Sequence, residues 1–291
     1  NKKAQVIIGQ QKNIGVVTDR YSVLMSVYAN ENAEYFEKAI NSMVMQTLPP
    51  DEIVLVEDGP LNEDLYSVIR RFKVKYPRLI TSVVNEKNMG LGIALQKGLI
   101  VARNELIARM DTDDIAKSNR FERQLDIFEK YSEIDVVGAW IDEFEGDVSH
   151  VISTRKLPEW HDEIVHFAKL RNPINHPVVM FKKEAVLAAG GYQHFPFFED
   201  YYLWIRMLLN GAKFYNIQES LLFFRFSSDL FERRGGWKYA MHELSFLGTL
   251  RSMGFLSLIE YVRNVFVRFL VRIIPNNVRT KMYVKLFRKT N

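Results

Sequence analysis

The sequence predicts an α/β protein: a mixed, mainly parallel sheet flanked by helices, followed by a basic helical extension at the C-terminus. Three observations carry that prediction. Short β-branched, apolar runs alternate with amphipathic stretches from Tyr21 onward, which is the βαβ pattern of a parallel sheet. An apolar lead-in, Ile107-Ala108-Arg109-Met110, runs directly into Asp111-Thr112-Asp113-Asp114, as a buried strand does when it delivers polar groups to a sheet edge. Beyond Gly254 eight Lys/Arg are interleaved with apolar residues against one acid, Glu260, whereas the preceding residues carry 31 basic and 34 acidic side chains.

The elements follow in order. Residues 1–20 are polar apart from Val6-Ile7-Ile8 and form an N-terminal extension with no sustained apolar core of the signal-peptide kind. Tyr21–Tyr28 reads as the first buried strand. Ala33–Gln46 reads as a helix, because Phe36, Ala39, Ile40, Met43 and Val44 recur at spacings of three and four. Glu52–Val56 is the second strand, closed by Glu57-Asp58-Gly59-Pro60, and Leu61–Lys75 and Leu79–Val84 complete a βαβαβ run. A polar loop over 85–92 precedes a short helix, Ile93–Ala102. Its glycines either bring backbone close to a ligand or serve the turn.

After the acidic stretch come a helix (Arg120–Tyr131), a strand (Val136–Trp140), a polar region over 142–160 and a helix (Asp162–Leu170). Arg171-Asn172-Pro173-Ile174-Asn175-His176-Pro177 is non-helical, since residues before proline avoid the α region. Val178–Phe181 continues as strand and Lys183–Ala189 as helix. Phe195-Pro196-Phe197-Phe198-Glu199-Asp200 opens the apolar helix Tyr201–Leu209, and Ile217–Phe226 is a further strand. The tail helix, Phe255–Ile274, is broken by Pro275, and a second short helix would align Val278, Met282 and Leu286.

At 291 residues, with 47% hydrophobic and 25% charged residues, the chain has the composition of an ordinary globular protein. It lacks cysteine, which excludes disulfides and thiolate metal sites. No apolar run reaches the ~18 residues of a spanning helix.

Two groups of carboxylates carry chemistry. Asp111, Asp113 and Asp114 are hard oxygen ligands suited to Mg²⁺ or Mn²⁺ shared with substrate phosphates; an acidic turn capping the next helix is the plainer reading. Asp111 and Asp113, at alternate positions of an extended strand, would face one ligand together. Glu199 and Asp200 either complement a helix dipole or supply a base for a substrate hydroxyl, with the neighbouring aromatics as a dry wall and a face for a sugar ring. Arg225, Arg233 and Arg234 either clamp phosphate oxygens or decorate a solvated turn. The basic, apolar tail either lies on a membrane surface or packs on the body.

In order and spacing these parts resemble an inverting family 2 glycosyltransferase with the GT-A, Rossmann-like fold. The matching residues are Val23–Tyr28 with Asn30-Glu31-Asn32, Val54–Gly59, Asn88-Met89-Gly90-Leu91-Gly92, Asp111–Asp114, and Glu199-Asp200 about 85 positions later, covering roughly Tyr21–Arg234. Asn172–Pro177 and Arg225–Gly236 resemble a bacterial subgroup that builds O-antigen and capsule repeat units, including galactosyltransferases. The resemblance implies a nucleotide-sugar half over 21–115, an acceptor and catalytic half over 116–236, and a membrane-associating region over 237–291. It also implies a UDP-sugar donor, with the backbone at Tyr28, Glu31, the Asp58 carboxylate and Gly90 about the nucleotide and Asp111 near the ribose. Asp113 would hold Mn²⁺ or Mg²⁺, and Asp200, with Glu199 beside it, would be the general base. His176, Arg225 and Arg233 are further candidates for metal or diphosphate. The implied acceptor is a lipid-diphosphate-linked saccharide at the cytoplasmic membrane face. Two departures stand out: Glu57-Asp58-Gly59-Pro60 replaces the common Asp-Asp-Gly-Ser, and the Gln/Arg-x-x-Arg-Trp motif of processive synthases is absent.

Other readings are weaker. No G-x-G-x-x-G follows the first strand, which disfavours a dehydrogenase. No recognised motif supports nucleic-acid binding by the tail. An inactive homologue on the same fold is opposed by the intact Asp111, Asp113 and Asp200 set.

Overall fold

The computed structural model describes residues 20–226 and 236–273. The N-terminal extension, Arg233 and the second tail helix therefore lie outside the described residues.

One nine-stranded sheet organises the chain. Its strands are β1 (Tyr21–Val27), β2 (Glu52–Asp58), β3 (Ile80–Asn85), β4 (Leu106–Arg109), β5 (Ile115–Ala116), β6 (Val136–Phe144), β7 (Val151–Arg155), β8 (Met180–Lys182) and β9 (Phe214–Arg225). They run in the order β3-β2-β1-β4-β8-β6-β9-β5, with β7 added on β6. The first four neighbours are parallel, as the alternating pattern predicts. Strand β8 then enters antiparallel between β4 and β6, and β9 runs parallel to β6.

Helices cover both faces: α1 (Ala33–Val44), α2 (Glu63–Lys75) and α4 (Arg120–Lys130) on one, α3 (Leu91–Val101), α5 (His161–Ala168), α6 (Lys183–Ala188) and α7 (Glu199–Leu209) on the other. Local chemistry sets their starts. Asn32 and Asn62 cap α1 and α2 by accepting from the Tyr35 and Leu65 backbone N–H groups at 3.0 Å each. The tail forms α8 (Gly236–Ser252) and α9 (Leu258–Ile273), which pack on α5 and α7 through Phe246, Leu250 and Tyr239 against Ala168, Phe198 and Tyr201.

The parallel register brings the ends of β1, β2 and β4 to one edge, where Tyr28, Asp58 and the acidic stretch emerge. Strand β8, running the other way, starts at that edge, so the 3₁₀ turn His176–Val178 just before it lies there too. Three expectations need correction. Strand β4 ends at Arg109, so Asp111 and Asp113 sit in a bend and strand alternation does not govern where they point. The polar region over 142–160 holds the end of β6 and all of β7, which pair from Ile141 to Phe144. Strand β8 begins only at Met180, after the 3₁₀ turn.

Candidate active site

Four segments meet in a cavity of about 290 Å³ at this edge: the start of α3 (Leu91, Leu95), the acidic bend (Arg109, Asp111), the Asn172–Pro177 segment, and the start of α7 (Phe197, Glu199, Asp200). Arg155 of β7 and Phe224 of β9 complete the lining. The sequence-predicted Asp111, His176, Glu199 and Asp200 thus share one cavity, although Asp111 and Asp200 are far apart in the chain.

The α7 carboxylates are held from two sides. Asn172 Nδ2 donates to Asp200 Oδ2 at 2.7 Å. A Cβ on Gly92 would come within 3.2 Å of Glu199 Cγ and 3.3 Å of the Gln193 carbonyl, so α3 starts in close contact with α7. Burial, and then the neighbouring Asp200, raise the pKa of Glu199. Just before them Phe197 takes a left-handed backbone conformation (φ 70°), an uncommon state for a bulky residue, and its ring reaches Tyr239 and His242 of α8.

The acidic bend has an internal division of labour. Asp114 is fully buried and accepts from the Arg225 backbone N–H at 2.8 Å. Asp111 forms an ion pair with Arg109, which is 2% exposed and lines the cavity floor. Asp113 and Glu31 complete the group. Burial and the Asp111 charge raise Asp113. Glu31 is pushed up to about 7, chiefly by burial and then by Asp113 and Asp111, against a hydrogen bond with Thr112. Among the described residues no three His, Asp or Glu side chains converge as a ready-made metal cage. What stands here is a set of crowded, partly desolvated carboxylates whose mutual repulsion a divalent cation would relieve. That donor set suits an ion held by one or two carboxylates and completed by substrate phosphates.

His176 faces the cavity but is otherwise engaged. Its Nε2 lies 2.9 Å from the Tyr192 hydroxyl, and its ring packs edge-on to Trp204. Burial, assisted by the Arg109 charge, holds it well below the ordinary histidine pKa, so it is neutral.

The remaining candidates among the described residues lie outside this cavity's lining. Asp58, 4% exposed, accepts from Asn85 Nδ2 and the Met89 N–H at 2.8 Å each and from the Gly90 N–H at 3.1 Å. Its carboxylate therefore clamps the loop that leads into the cavity through Leu91. Gly59, next to it, has φ 91° and no room for a Cβ, which would sit 2.7 Å from the Asn88 nitrogen. Tyr28, half-buried, receives the Glu31 N–H on its carbonyl at 3.1 Å. Arg225 stacks over Tyr35 at 3.7 Å and donates Nε–H to the Asp113 carbonyl at 2.9 Å, so it shapes the acidic bend from behind. Sequence reasoning assigns no role to Arg109, Asn172 or Arg155. The signals nearest to them are a lone arginine inside the apolar run before Asp111 and the place of Asn172 in the Asn172–Pro177 motif.

Comparison with known proteins is consistent with this geometry. The family described as "Glycosyl transferase family 2" matches residues 22–187. The Escherichia coli UDP-Gal:alpha-D-GlcNAc-diphosphoundecaprenol beta-1,3-galactosyltransferase is 36% identical over 94% of this chain and 98% of its own length. The amylovoran biosynthesis glycosyltransferase AmsE of Erwinia amylovora is 37% identical over 91% of this chain and 98% of its own. In fold the chain is similar to S. aureus TarS 1-349 in complex with UDP-GlcNAc, with TM-score 0.63 at 13% identity over 93% of this chain and 76% of that one. It is also similar to the Pyrobaculum calidifontis mannosyltransferase PcManGT, with TM-score 0.61 at 15% identity over 86% and 68%. These likenesses establish a GT-A fold.

Proposed function

The chain belongs to glycosyl transferase family 2, and on that premise we propose that it transfers galactose from UDP-galactose to a lipid-diphosphate-linked saccharide, with inversion to a β-linkage, in the assembly of a surface polysaccharide. The observation that carries this reading is the shared cavity. It joins Asp111, at the end of the parallel half of the sheet, to Asp200 at the start of α7. The galactose donor and the lipid-diphosphate acceptor are those in the name of the E. coli relative, which matches along nearly its whole length.

Each residue has a task on this reading. Residues 21–115 hold the nucleotide, with Tyr28 backbone, Asp58 and the Gly90 loop about the base, and Asp111 at the ribose. Asp113, with Glu31 close by, holds Mg²⁺ or Mn²⁺. When bound, that ion neutralises the charge developing on the leaving diphosphate. Residues 116–236 hold the acceptor. Asp200, fixed by Asn172, takes the proton from an acceptor hydroxyl as its oxygen bonds to the sugar's anomeric carbon. The bond from that carbon to the UDP oxygen breaks on the opposite face. One displacement with one base inverts the centre, so an α-linked donor gives a β-glycoside. Glu199 stands beside the base as a second carboxyl, its pKa raised by burial and by Asp200.

The tail supports a membrane-held acceptor. Trp237 and Met241 of α8 and Ile259, Val262 and Phe266 of α9 are exposed apolar side chains, and Arg263 is exposed among them. Interfacial helices carry apolar and basic residues in this combination. No described helix is long and apolar enough to cross a membrane. On the strength of its apolar and basic side chains, the region over 237–291 is proposed to lie on the inner face of the cell membrane.

The test is a panel of UDP-sugars with Mn²⁺ and a GlcNAc-diphospholipid acceptor, with product linkage read by NMR. A β-galactoside is expected. Turnover with UDP-GlcNAc or UDP-glucose alone would move the donor assignment, and no binding of any UDP-sugar would overturn the reading.

A further inference from the structure

We infer that Arg155 is the cavity's anchor for the acceptor's diphosphate, and hence the residue by which the enzyme prefers a diphosphate-linked acceptor over a neutral glycoside. The inference rests on the acceptor half of the function proposed above. The first argument is charge. The wall beside the base is acidic, with Asp111, Glu199 and Asp200 together in one small cavity. A donor diphosphate reaches such a wall with a divalent cation. An acceptor diphosphate brings no such ion, and it would be repelled unless the protein supplies positive charge on its side.

Among the described residues two arginines line the cavity, Arg109 and Arg155. Arg109 is 2% exposed and committed to Asp111. The Arg155 side chain is 36% exposed, at the mouth, where a charged group can arrive from solvent or from a membrane surface.

The second argument is preorganisation. Arg155 ends β7, which is fixed to β6 by antiparallel pairing of Ile141 with Arg155. Its Nη2 donates to Glu143 Oε1 at 2.7 Å, and Glu143 is itself buried and receives the Ser153 hydroxyl. The guanidinium lies over the Phe224 ring, 5.6 Å from its centroid, and Phe224 lines the same cavity. A guanidinium steered by a buried carboxylate and an aromatic face loses little freedom on binding and presents planar N–H edges suited to two phosphate oxygens. β7 is otherwise a poorly buried strand, with no fully buried side chain of its own.

The experiment uses the full chain with three readouts: KM for a short-chain prenyl diphosphate-linked GlcNAc, KM for a neutral alkyl GlcNAc glycoside, and Kd for UDP with Mn²⁺. In Arg155→Ala the first is expected to rise about 10- to 100-fold, the other two to stay within about twofold, and Arg155→Lys to recover part of the loss as a point charge. If Arg155→Ala loses its fold because Glu143 loses its guanidinium, Arg155→Gln/Glu143→Gln carries the same test. Equal loss with both acceptors, or a raised Kd for UDP in place of the acceptor effect, overturns the inference, the latter by assigning Arg155 to the donor. Wild type that hydrolyses UDP-galactose yet treats the two acceptors alike also overturns it, while leaving the donor reading intact. If no UDP-sugar is bound or turned over, the proposed function fails instead, and direct binding of the diphosphate acceptor to wild type and Arg155→Ala still decides the role of Arg155.

Discussion

Asp58→Asn separates two ways in which one carboxylate can serve a nucleotide site. In the structure Oδ1 accepts from Asn85 Nδ2 and the Met89 N–H, and Oδ2 from the Gly90 N–H. An amide of the same shape has one acceptor where the carboxylate has two. Its cheaper orientation keeps oxygen at the Oδ1 position and turns NH₂ toward the Gly90 N–H. One charge-assisted hydrogen bond is lost and two others become neutral. A hydrogen bond to a charged group contributes about 1.5–3 kcal/mol. Asp58 is 4% exposed, so water does little to compensate, although Asn88 Oδ1 also receives the Gly90 N–H at 3.0 Å. We therefore expect a loss of about 2 kcal/mol, which for a chain of this size lowers Tm by about 3–4 °C. The Met89–Gly90 backbone would loosen, and UDP affinity would fall about tenfold, the ordinary equivalent of ~1.4 kcal/mol. Differential scanning fluorimetry and calorimetric titration of UDP measure the two effects. A Tm within about 1 °C of wild type would refute the clamp. If UDP binding were lost at unchanged Tm, Asp58 would act on the base directly, as the family resemblance implies.

Three further outcomes follow from the same geometry. Asp200→Asn is expected to lower kcat by about 10²- to 10⁴-fold with UDP binding retained, checked by steady-state kinetics beside titration; retained turnover would remove Asp200 from the base role. His176 is neutral in the folded protein and carries an ordinary pKa when unfolded, so the unfolded chain binds the extra proton. Stability is then fully present above pH ~6.5 and falls as pH drops below it, by up to ~1.4 kcal/mol per pH unit. Tm of His176→Gln between pH 6.5 and 5 should accordingly fall less steeply than that of wild type. Ile259→Asp/Phe266→Asp should abolish co-sedimentation with anionic vesicles while leaving activity on a detergent-dispersed acceptor; unchanged sedimentation would assign that face elsewhere.

Much of this was legible in residue types. Strands β1 and β2, at the centre of the parallel half, are buried on both faces and read as largely apolar runs, whereas the edge strand β3 is half-exposed. Asp111–Asp114 and Glu199-Asp200 announce themselves as carboxylates at the ends of apolar elements. What the sequence hid is long-range. Strand β7 has no buried side chain to mark it, so its polar residues read as loop. That β8 runs antiparallel, and thereby carries His176 to the edge occupied by Asp111, depends on pairing partners that no local pattern encodes. The hold of Asn172 on Asp200 spans 28 residues. The three hydrogen-bond donors to Asp58 come from a loop whose approach only the fold defines, so its clamp on that loop was not legible beside the nucleotide contact the resemblance implies.

The single sheet has a mechanical consequence. Every strand from β3 through β8 to β5 is hydrogen-bonded to the next, so the nucleotide side and the acceptor side of the proposed reaction are measured off on one ruler, at about 4.8 Å per strand. A transferase built on two hinged lobes sets the gap between leaving group and base by closing. Here both groups stand beside one continuous sheet, Asp111 just past β4 and Asp200 at the start of α7. Stiffness resides in the sheet and variability in the loops along one edge of it. New sugars and new acceptors can then be tried by changing the loop over 85–92 or the β6–β7 hairpin, while the ruler that makes displacement possible stays untouched.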